Sequence, residues 1–311
     1  MKKLLLVVFV LIFTCCETSE SVSENLDKKQ TTGNRGDSTL TKFNEFISTI
    51  QLPDELTFCG EKVPLDIPEV RERAEREFYL MLQKPGQMML YIKRAGRYFP
   101  MYDRITEELG MPSDLKYVSV AESALYMARS SKGAVGLWQF IPSTGKKMGL
   151  KIDNYVDERR HPEKSTYAAM KYLKSGYDEF KSWFLAAAGY NMGPHRVTAG
   201  LGYQKADDYF DLFMNEETSR YILRIVITKE LMENAEKYGF LVKEDEKYKQ
   251  EEMKIVECST VIKNLSEWAQ AKGYTYKDVR LNNLWILKRI LKKPSPKKPW
   301  KISLPIKEGS E

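Results

Sequence analysis

Apolar residues recur every three or four positions through most of the chain between about residues 68 and 239, which is the spacing of a helix face. The stretches 68–83 and 88–99 follow this spacing and are separated at Pro85-Gly86, so two packed helices are expected. Further helices are predicted in the stretches 136–149, 167–177, 183–190 and 218–239. No alternating strand pattern competes here, and the predicted fold class is mainly α.

A single carboxylate interrupts one of the apolar faces. Glu122 shares a helical spacing with three apolar residues: Leu115, Val118 and Leu125. A buried, ionised Glu is costly unless it is paired, so such a group is salt-bridged, protonated or functional. One interpretation is a structural ion pair with an arginine such as Arg129 or Arg159. The other is a functional carboxyl.

The N-terminus predicts export. Lys2 and Lys3 precede ten apolar residues, 4–13, a length that suits a signal-peptide core and is too short to span a bilayer. Cys15 and Cys16 follow where a small-residue cleavage site would stand, and this arrangement resembles a bacterial lipobox. Residues 1–16 are therefore predicted to be a lipoprotein signal peptide. A cleaved signal that ends in cysteines is the alternative.

Changes in composition predict three further segments. The stretch 17–49 is rich in Ser, Thr, Asn, Gly and charge, and is expected to be a flexible tether. The stretch 50–250 carries the helical pattern and is expected to be the main domain. The stretch 251–311 contains short apolar alternations around one or two helices, which fits a small α+β module.

Charge and cysteine content narrow the possible partners. The chain of 311 residues has 49 Lys+Arg against 43 Asp+Glu, and this net charge of +6 is too diffuse for a nucleic-acid surface. Cys59 and Cys258 could pair across the domains or stay free. With only two histidines in the chain they do not form a metal-binding pattern, so neither a metal nor another cofactor is expected.

Several residues near Glu122 could carry chemistry, but none is specific alone. Ser123 could offer its hydroxyl to the carboxylate. Trp138 could present an apolar face to a ligand or anchor the core, and Gln139 offers an amide. Asn191, with Tyr190, could bind a ligand or belong to a turn.

Other polar residues are expected to be structural. The acidic residues of "DERR" at 157–160 are expected to form carboxylate pairs with arginine that hold a loop to the following helix. His161 and His195 are expected at turns or on the surface. None of these belongs to a recognisable triad or metal site.

Taken together, the motifs "AES", "GAVGLWQFIPSTGKKMGL", "DERRHPEKSTYAAMKYL", "AAAGYNMG" and "ETSRYI" occur in the order and spacing of a known family. The stretch from about 105 to 240 resembles the membrane-bound lytic transglycosylases of type D. These share the lysozyme-like fold of the soluble lytic transglycosylases and goose-type lysozyme. The resemblance implies a lysozyme-like transglycosylase domain, a peptidoglycan substrate and no cofactor.

The resemblance also implies roles for individual residues. Glu122 would be the single catalytic acid and base. The residues that would bind or position the glycan are Ser123, Gly136, Leu137, Trp138, Gln139, Tyr190, Asn191 and Tyr221. Gly136 to Gln139 would line the cleft, while Tyr190, Asn191 and Tyr221 would position the glycan and orient the carboxyl.

The implied reaction is non-hydrolytic cleavage of the β-1,4 bond between N-acetylmuramic acid and N-acetylglucosamine, which leaves 1,6-anhydro ends. Most glycosidases use two carboxylate side chains, but enzymes that are assisted by a group of the substrate need only one. An apolar setting would keep Glu122 protonated. Alternatives are a lysozyme-type hydrolase and an inactive glycan-binding scaffold.

The C-terminal stretch 265–285 is similar to a divergent LysM module, a glycan-binding unit. The basic, proline-rich 292–300 replaces the usual glycine-rich approach to its last strand, so the module could bind glycan or serve as a structural cap. The resemblance implies a monomeric lipoprotein of the cell envelope, on the outer membrane facing the periplasm. Its partners would be peptidoglycan strands and the membrane that holds its lipid, with no nucleic acid.

Overall fold

The computed structural model describes residues 34–306 of the chain, with side chains from residue 41. The chain divides at Ile50 into two units. The predicted signal peptide 1–16, including Cys15 and Cys16, lies outside the described residues. No helix in residues 34–306 is both long and apolar enough to cross a bilayer.

The described part of the first unit is a helix, α1 (Asn34–Thr49). This differs from the flexible tether predicted for 17–49, whose remaining part is not described. The reason is visible in the sequence, because Leu40, Phe43 and Ile47 recur at spacings of three and four. This apolar spacing begins near the C-terminal end of the stretch 17–49. The many polar and charged residues of the stretch obscure the helical pattern.

The second unit is mainly helical. Its first elements are β1 (Thr57–Phe58), β2 (Glu61–Lys62), α2 (Pro68–Leu82), α3 (Pro85–Glu108), α4 (Lys116–Ser123), α5 (Pro142–Lys147) and α6 (Pro162–Phe180). They are followed by α7 (Trp183–Met192), α8 (Pro194–Gln204), α9 (Glu216–Glu233), β3 (Met253–Cys258), α10 (Leu265–Ala271), α11 (Tyr276–Asn282) and β4 (Trp300–Pro305). The predicted helices are confirmed, and α8, which is rich in small and polar residues, was not predicted.

Helix α9 lies at the centre of the helical region. It packs against α2, α4 and α7, and its buried residues include Ile222, Leu223, Ile225, Val226 and Ile227. Burial on several sides explains the short, nearly continuous apolar stretch YILRIVI at 221–227. The helices that carry the predicted site residues are therefore held around one shared core.

The β1–β2 hairpin fixes the start of α7. The carboxylate of Glu61 accepts hydrogen bonds from the Ser182 hydroxyl at 2.8 Å and from the backbone N–H of Trp183 at 2.5 Å. A carboxylate at a helix N-terminus satisfies unpaired N–H groups and interacts favourably with the helix dipole. This anchor sets the position of α7, which carries Tyr190 and Asn191.

The C-terminal module is an antiparallel pair, β3 with β4, covered by α11. Its core includes Trp285, Ile286, Trp300 and Ile302. Asn283 is fully buried and joins the helix to the sheet, because its side chain donates to the Ser303 carbonyl at 2.7 Å and accepts from the Ser303 N–H at 2.9 Å. The small α+β architecture predicted for this region is confirmed.

The module is fastened to a loop of the helical region. Val156 belongs to the apolar core of the module and forms an isolated bridge with Ile286. The Asp157 N–H donates to the Trp285 carbonyl at 2.8 Å, and the Leu287 N–H donates to the carbonyl of residue 155 at 2.8 Å. Backbone pairing and burial thus join the two regions.

Cys59 and Cys258 are free thiols in this structure. Cys59 is half-buried beside the hairpin, and Cys258 is buried in the module. Of the two possibilities left open by the sequence, the structure has the unpaired one.

Replacing Asn283 by Ala is expected to destabilise the C-terminal module. The change leaves the backbone N–H and carbonyl of Ser303, which are partly buried, without the side chain that binds them, and each such group costs about 1 kcal/mol or more. Denaturant unfolding followed by tryptophan fluorescence would report the loss, because Trp285 and Trp300 lie in this core. Asn282→Ala is the control, since Asn282 is half-buried and its amide bonds only to the Asp278 carbonyl. Equal unfolding midpoints for the two variants would contradict this role.

Candidate active site

Glu122 lies in the last turn of α4, one residue before the helix ends at Ser123. Ala124 and Leu125 adopt left-handed backbone conformations, with φ of 56° and 53°. Leu125 is buried, but it lies beyond the helix, so its predicted place on the helix face with Glu122 is wrong. Left-handed conformations are unfavourable for residues with a side chain, and they concentrate at functional sites.

The carboxyl of Glu122 is half-buried and accepts a hydrogen bond of 2.5 Å from the Tyr221 hydroxyl. Burial raises the pKa of Glu122 to about 7, and the charge of Glu217 acts in the same direction. The Tyr221 hydroxyl and the Arg224 guanidinium act to lower that pKa. Burial is the largest of these effects, so near neutral pH the carboxyl is divided between its protonated and ionised forms.

The expected ion pair between Glu122 and an arginine is not formed. Arg159 pairs with Asp157 instead, and within residues 34–306 Glu122 has no salt-bridge partner within 4.0 Å. Glu122 is stabilised at this position by the hydrogen bond from the Tyr221 hydroxyl and by protonation of its carboxyl, whose pKa is raised. This favours the functional interpretation of its position on the apolar stripe.

Ser123 does not donate to Glu122. Its buried hydroxyl donates to the backbone carbonyl of Leu137 at 2.8 Å and to that of Ser119 at 3.1 Å. The predicted bond to the carboxylate is therefore wrong, because both close acceptors are backbone oxygens. Ser123 ties the loop at 128–140 to the end of α4.

Gly136 is the point where that loop passes closest to another chain segment. Its φ is +91°, and a Cβ at this position would lie 2.1 Å from the carbonyl oxygen of Arg159. Any side chain here would collide with fixed backbone. The residue serves the packing of the loop, and glycine is the residue that fits.

Leu137 and Trp138 are fully buried, so their predicted place in the cleft lining is wrong. The Trp138 indole donates to the Thr166 hydroxyl at 2.9 Å and packs against Tyr102 with ring centroids 5.2 Å apart. An indole with a satisfied N–H is a favourable core residue. Of the two interpretations of Trp138, the core anchor is the one observed.

Gln139 is half-buried and has a left-handed backbone, with φ of 47°. Its amide donates to the carbonyl of Gly136 at 2.7 Å and to that of Ala128 at 3.3 Å. The side chain therefore closes the loop on itself, and these bonds fix the position of the amide within the loop.

Tyr190 and Asn191 lie at the end of α7. The Tyr190 hydroxyl donates to the Trp138 carbonyl at 2.6 Å. Burial raises the pKa of Tyr190 well above its usual value, with a further contribution from the nearby Glu122 carboxylate. Asn191 accepts a bond of 3.3 Å from the Thr218 hydroxyl of α9. The structure thus brings Tyr190 close to Glu122 and links Asn191 to the helix of Tyr221.

Sequence reasoning missed a charged cluster beside Glu122. Glu77 of α2 is buried and pairs with Arg220, while its other oxygen lies 3.7 Å from Nε of Arg224. A cavity of about 310 Å³ is lined by these three residues and Ala121, which precedes Glu122. The available signal was a Glu on the apolar face of α2 and two arginines spaced i, i+4 on α9.

The "DERR" loop is structural, as predicted. Arg159 and Asp157 form a buried ion pair of 2.7 Å, and Glu158 accepts from Lys164 at 2.6 Å. The Nδ1 atom of His161 caps α6 by accepting a hydrogen bond of 3.4 Å from the backbone N–H of Lys164, and burial lowers the pKa of His161 to about 4. Within residues 34–306 no cluster of three His, Cys, Asp or Glu residues is placed to hold a metal.

Residues 105–213 match the family described as transglycosylase SLT domain. The chain carries an SLT domain. Residues 254–308 match the soluble lytic transglycosylase C-terminal LysM-like domain. The SLT domain covers α4, α5, α6, α7 and α8, and the LysM-like domain covers the module with β3 and β4. The predicted lysozyme-like, mainly helical fold and the LysM-like module are both confirmed.

Curated relatives are similar over the same region. The chain is 30% identical over 192 residues to membrane-bound lytic murein transglycosylase D of Escherichia coli strain K12, and equally to the protein of that name from strain O6:H1. The match covers 60% of this chain and 42% of the relative. The chain thus corresponds to less than half the length of these relatives.

Two solved structures are also similar. The 70 kDa soluble lytic transglycosylase of Escherichia coli matches at 23% identity with a TM-score of 0.38, over 49% of this chain and 27% of that chain. An inactive variant of lytic transglycosylase Slt from Pseudomonas aeruginosa matches at 23% identity with a TM-score of 0.37, over 49% and 26% of the two chains.

Gly136→Ala is expected to destabilise the SLT domain by about 3 kcal/mol or more, because the new Cβ meets the Arg159 carbonyl and φ is positive. Gly202→Ala is a matched control in α8, where no atom lies within 4 Å of the added Cβ. That change should be neutral or stabilising by up to about 1 kcal/mol, since Ala favours a helix. Thermal unfolding of both variants compares the two sites, and similar melting temperatures would contradict the packing role of Gly136.

Proposed function

We propose that this protein is a lytic transglycosylase that cleaves the glycan strands of peptidoglycan without water. The observation that carries the proposal is Glu122, a half-buried carboxyl with a pKa raised to about 7 and held by Tyr221 at 2.5 Å. The SLT and LysM-like matches and the lytic murein transglycosylase relatives support the substrate class.

The proposed reaction uses Glu122 twice. In its protonated form, Glu122 donates a proton to the oxygen that links N-acetylmuramic acid to N-acetylglucosamine, and that bond breaks. The acetamido group of the muramic acid stabilises the developing positive charge at C1. Glu122, now ionised, removes the proton from the C6 hydroxyl, whose oxygen bonds to C1 and closes the 1,6-anhydro ring.

The geometry suits both steps. Burial favours the protonated form of Glu122, which is needed first, while the Tyr221 hydroxyl stabilises the carboxylate that forms next. Tyr190 lies close to this carboxyl, and Tyr190, Asn191 and Gln139 are the proposed contacts of the glycan. Ser123 and Gly136 hold the loop, and Leu137 and Trp138 anchor it in the core.

A lysozyme-type hydrolase is the second candidate, because Glu217 is close enough to raise the pKa of Glu122. Hydrolysis could use such a second carboxylate to activate water. Glu217 is exposed and lies one turn before Tyr221 on α9. Its charge is consistent with a role in keeping Glu122 protonated.

The domain organisation and localisation are part of the proposal. Residues 50–250 form the catalytic domain and 251–311 the LysM-like module, preceded by the signal peptide and the segment 17–49. The protein is proposed to be an exported, monomeric lipoprotein that is anchored through Cys15 or Cys16 and acts in the periplasm from the outer membrane. Stable anchoring requires more than one acyl chain, and mass spectrometry of the mature N-terminus would identify the modified cysteine.

Digestion of purified sacculi is expected to release fragments with anhydro ends, each lighter by one water than the corresponding reducing end. Glu122→Gln should lower the rate of strand cleavage by about 1,000-fold or more, because the glutamine amide is too weakly acidic to act as the general acid. Glu217→Gln should still give anhydro ends. Mass spectrometry of the fragments decides between the candidates, and reducing ends alone would refute the proposed reaction in favour of hydrolysis.

Activity is expected to fall as the pH rises through the pKa of Glu122, since the first step needs the protonated acid. Tyr221→Phe removes a hydrogen bond that favours the carboxylate, so this loss should move to higher pH while the maximal rate falls by about 10-fold or more. Tyr238→Phe is the control, because Tyr238 makes a similar bond of 2.6 Å to Glu230 near the end of α9. A pH profile unchanged by Tyr221→Phe would contradict the assigned role of that hydroxyl.

A further inference from the structure

A cavity of about 750 Å³ lies between α3 of the helical region and the LysM-like module. Its lining includes residues 125–127, which lie beyond the end of α4 and three to five positions after Glu122 in the chain. The lining also includes Met253 and Ile255 of β3 and Leu281 at the end of α11. We call this cavity the arginine groove, after the four side chains described next.

Four arginines line the groove: Arg94, Arg97, Arg104 and Arg160. Two acidic residues, Glu163 and Glu251, lie among them. Arg104 is compensated by Glu163 at 2.5 Å. The groove therefore has an excess of positive charge.

Arg94 and Arg97 are the arginines without an acidic partner. Among the described residues no carboxylate oxygen lies within 4.0 Å of either, and both bond to backbone. Arg94 donates to the Ala124 carbonyl at 2.9 Å, and Arg97 donates to the Lys249 carbonyl at 3.4 Å. Their charges are thus available to an anionic ligand.

Two tyrosines support these guanidinium groups. Arg94 lies over the ring of Tyr126, 5.3 Å from its centroid, and Arg97 lies over the ring of Tyr248 at 5.5 Å. Tyr126 is 61% exposed, so the first of these pairs faces solvent. A guanidinium that lies over a ring face can still present an N–H edge to a carboxylate, which it can bind through two hydrogen bonds.

The fourth arginine is only weakly satisfied. The Nε atom of Arg160 is buried without a hydrogen-bond partner and lies 3.9 Å from the Asp157 carboxylate. His161, which also lines the groove, has a pKa lowered by burial to about 4 and adds no charge at neutral pH. The positive charge of the groove therefore comes from arginines and does not change over the physiological pH range.

We propose that the arginine groove binds the peptide stem of a peptidoglycan strand through the stem's free carboxylates. This inference rests on the proposed function. A glycan bound at Glu122 carries a stem on its muramic acid, and the groove includes residues 125–127, which lie three to five positions after Glu122 in the chain. The stem carries both carboxylates and aliphatic side chains, which match Arg94 and Arg97 on one side and Met253 and Ile255 on the other.

The arrangement gives the LysM-like module a role in the choice of substrate. The module supplies part of the groove lining, and the helical region supplies the two unpaired arginines. A strand with intact stems would be held at two places, the glycan at Glu122 and the stem in the groove. A strand without stems would be held only at the first.

The test is calorimetric titration of a free stem tetrapeptide into the full chain bearing Glu122→Gln, which needs no turnover. We expect binding, weakened about 10-fold when the carboxylates are amidated and about 10-fold when Arg97→Glu is added, since one charge contact is worth about 1.4 kcal/mol. Lys171→Glu is the matched control, because it makes the same charge change at an exposed position of α6 outside the groove.

Equal affinity for the acid and amide forms, or no effect of Arg97→Glu, would overturn the proposal. Equal displacement of the peptide by inorganic phosphate at the same concentration would also overturn it, since the groove would then be a general anion site. In the active protein, Arg97→Glu should lower kcat/KM on strands with stems and leave it unchanged on strands whose stems an amidase has removed. Lack of anhydro product from either strand would instead refute the proposed function, while the titration still reports on the groove.

Discussion

The buried ion pair between Asp157 and Arg159 is the interaction on which the site depends. Besides its carboxylate partner, the Arg159 guanidinium donates to the carbonyl oxygens of Gly133 and Phe140, each at 2.9 Å. One side chain therefore holds both the middle and the C-terminal end of the loop 128–140 that follows the Glu122 helix. A buried ion pair is often neutral for stability, but this pair, whose guanidinium also binds two backbone carbonyls, favours one geometry of the loop. Removing either partner would leave a buried charge and a loop without its support.

The charge state of Glu122 results from opposing effects in a small volume. Burial and Glu217 favour the neutral acid, whereas Tyr221 and Arg224 favour the carboxylate. Glu77 is part of this balance because it pairs with Arg220 and lies near Arg224, so the positive charge beside the acid is partly compensated. The acid can therefore change its protonation state near neutral pH, as a group that first gives and then takes a proton must.

The sequence predicted the helices, the lysozyme-like fold and the position of the carboxyl because each leaves a local pattern. Spacings of three and four marked the helix faces, and the order of motifs marked the family. It did not predict that Leu137 and Trp138 are buried in the core. A motif shows which residues occur together in the chain, but it does not show which of their side chains face the cleft. Nor did it predict the pairing of Glu77 with Arg220, because 143 positions separate these residues in the chain. Contacts of this kind depend on how α2 and α9 pack.

The bridge between Val156 and Ile286 means that the two matched domains are not independent folding units. A chain that stopped near residue 250 would expose Val156 to water and leave the Asp157 N–H without the Trp285 carbonyl that it binds. Asp157 is the partner of Arg159, so the loss would reach the loop beside Glu122. Exchange of the C-terminal module between related enzymes would therefore have to include the segment 151–160. The module and this segment would be inherited together.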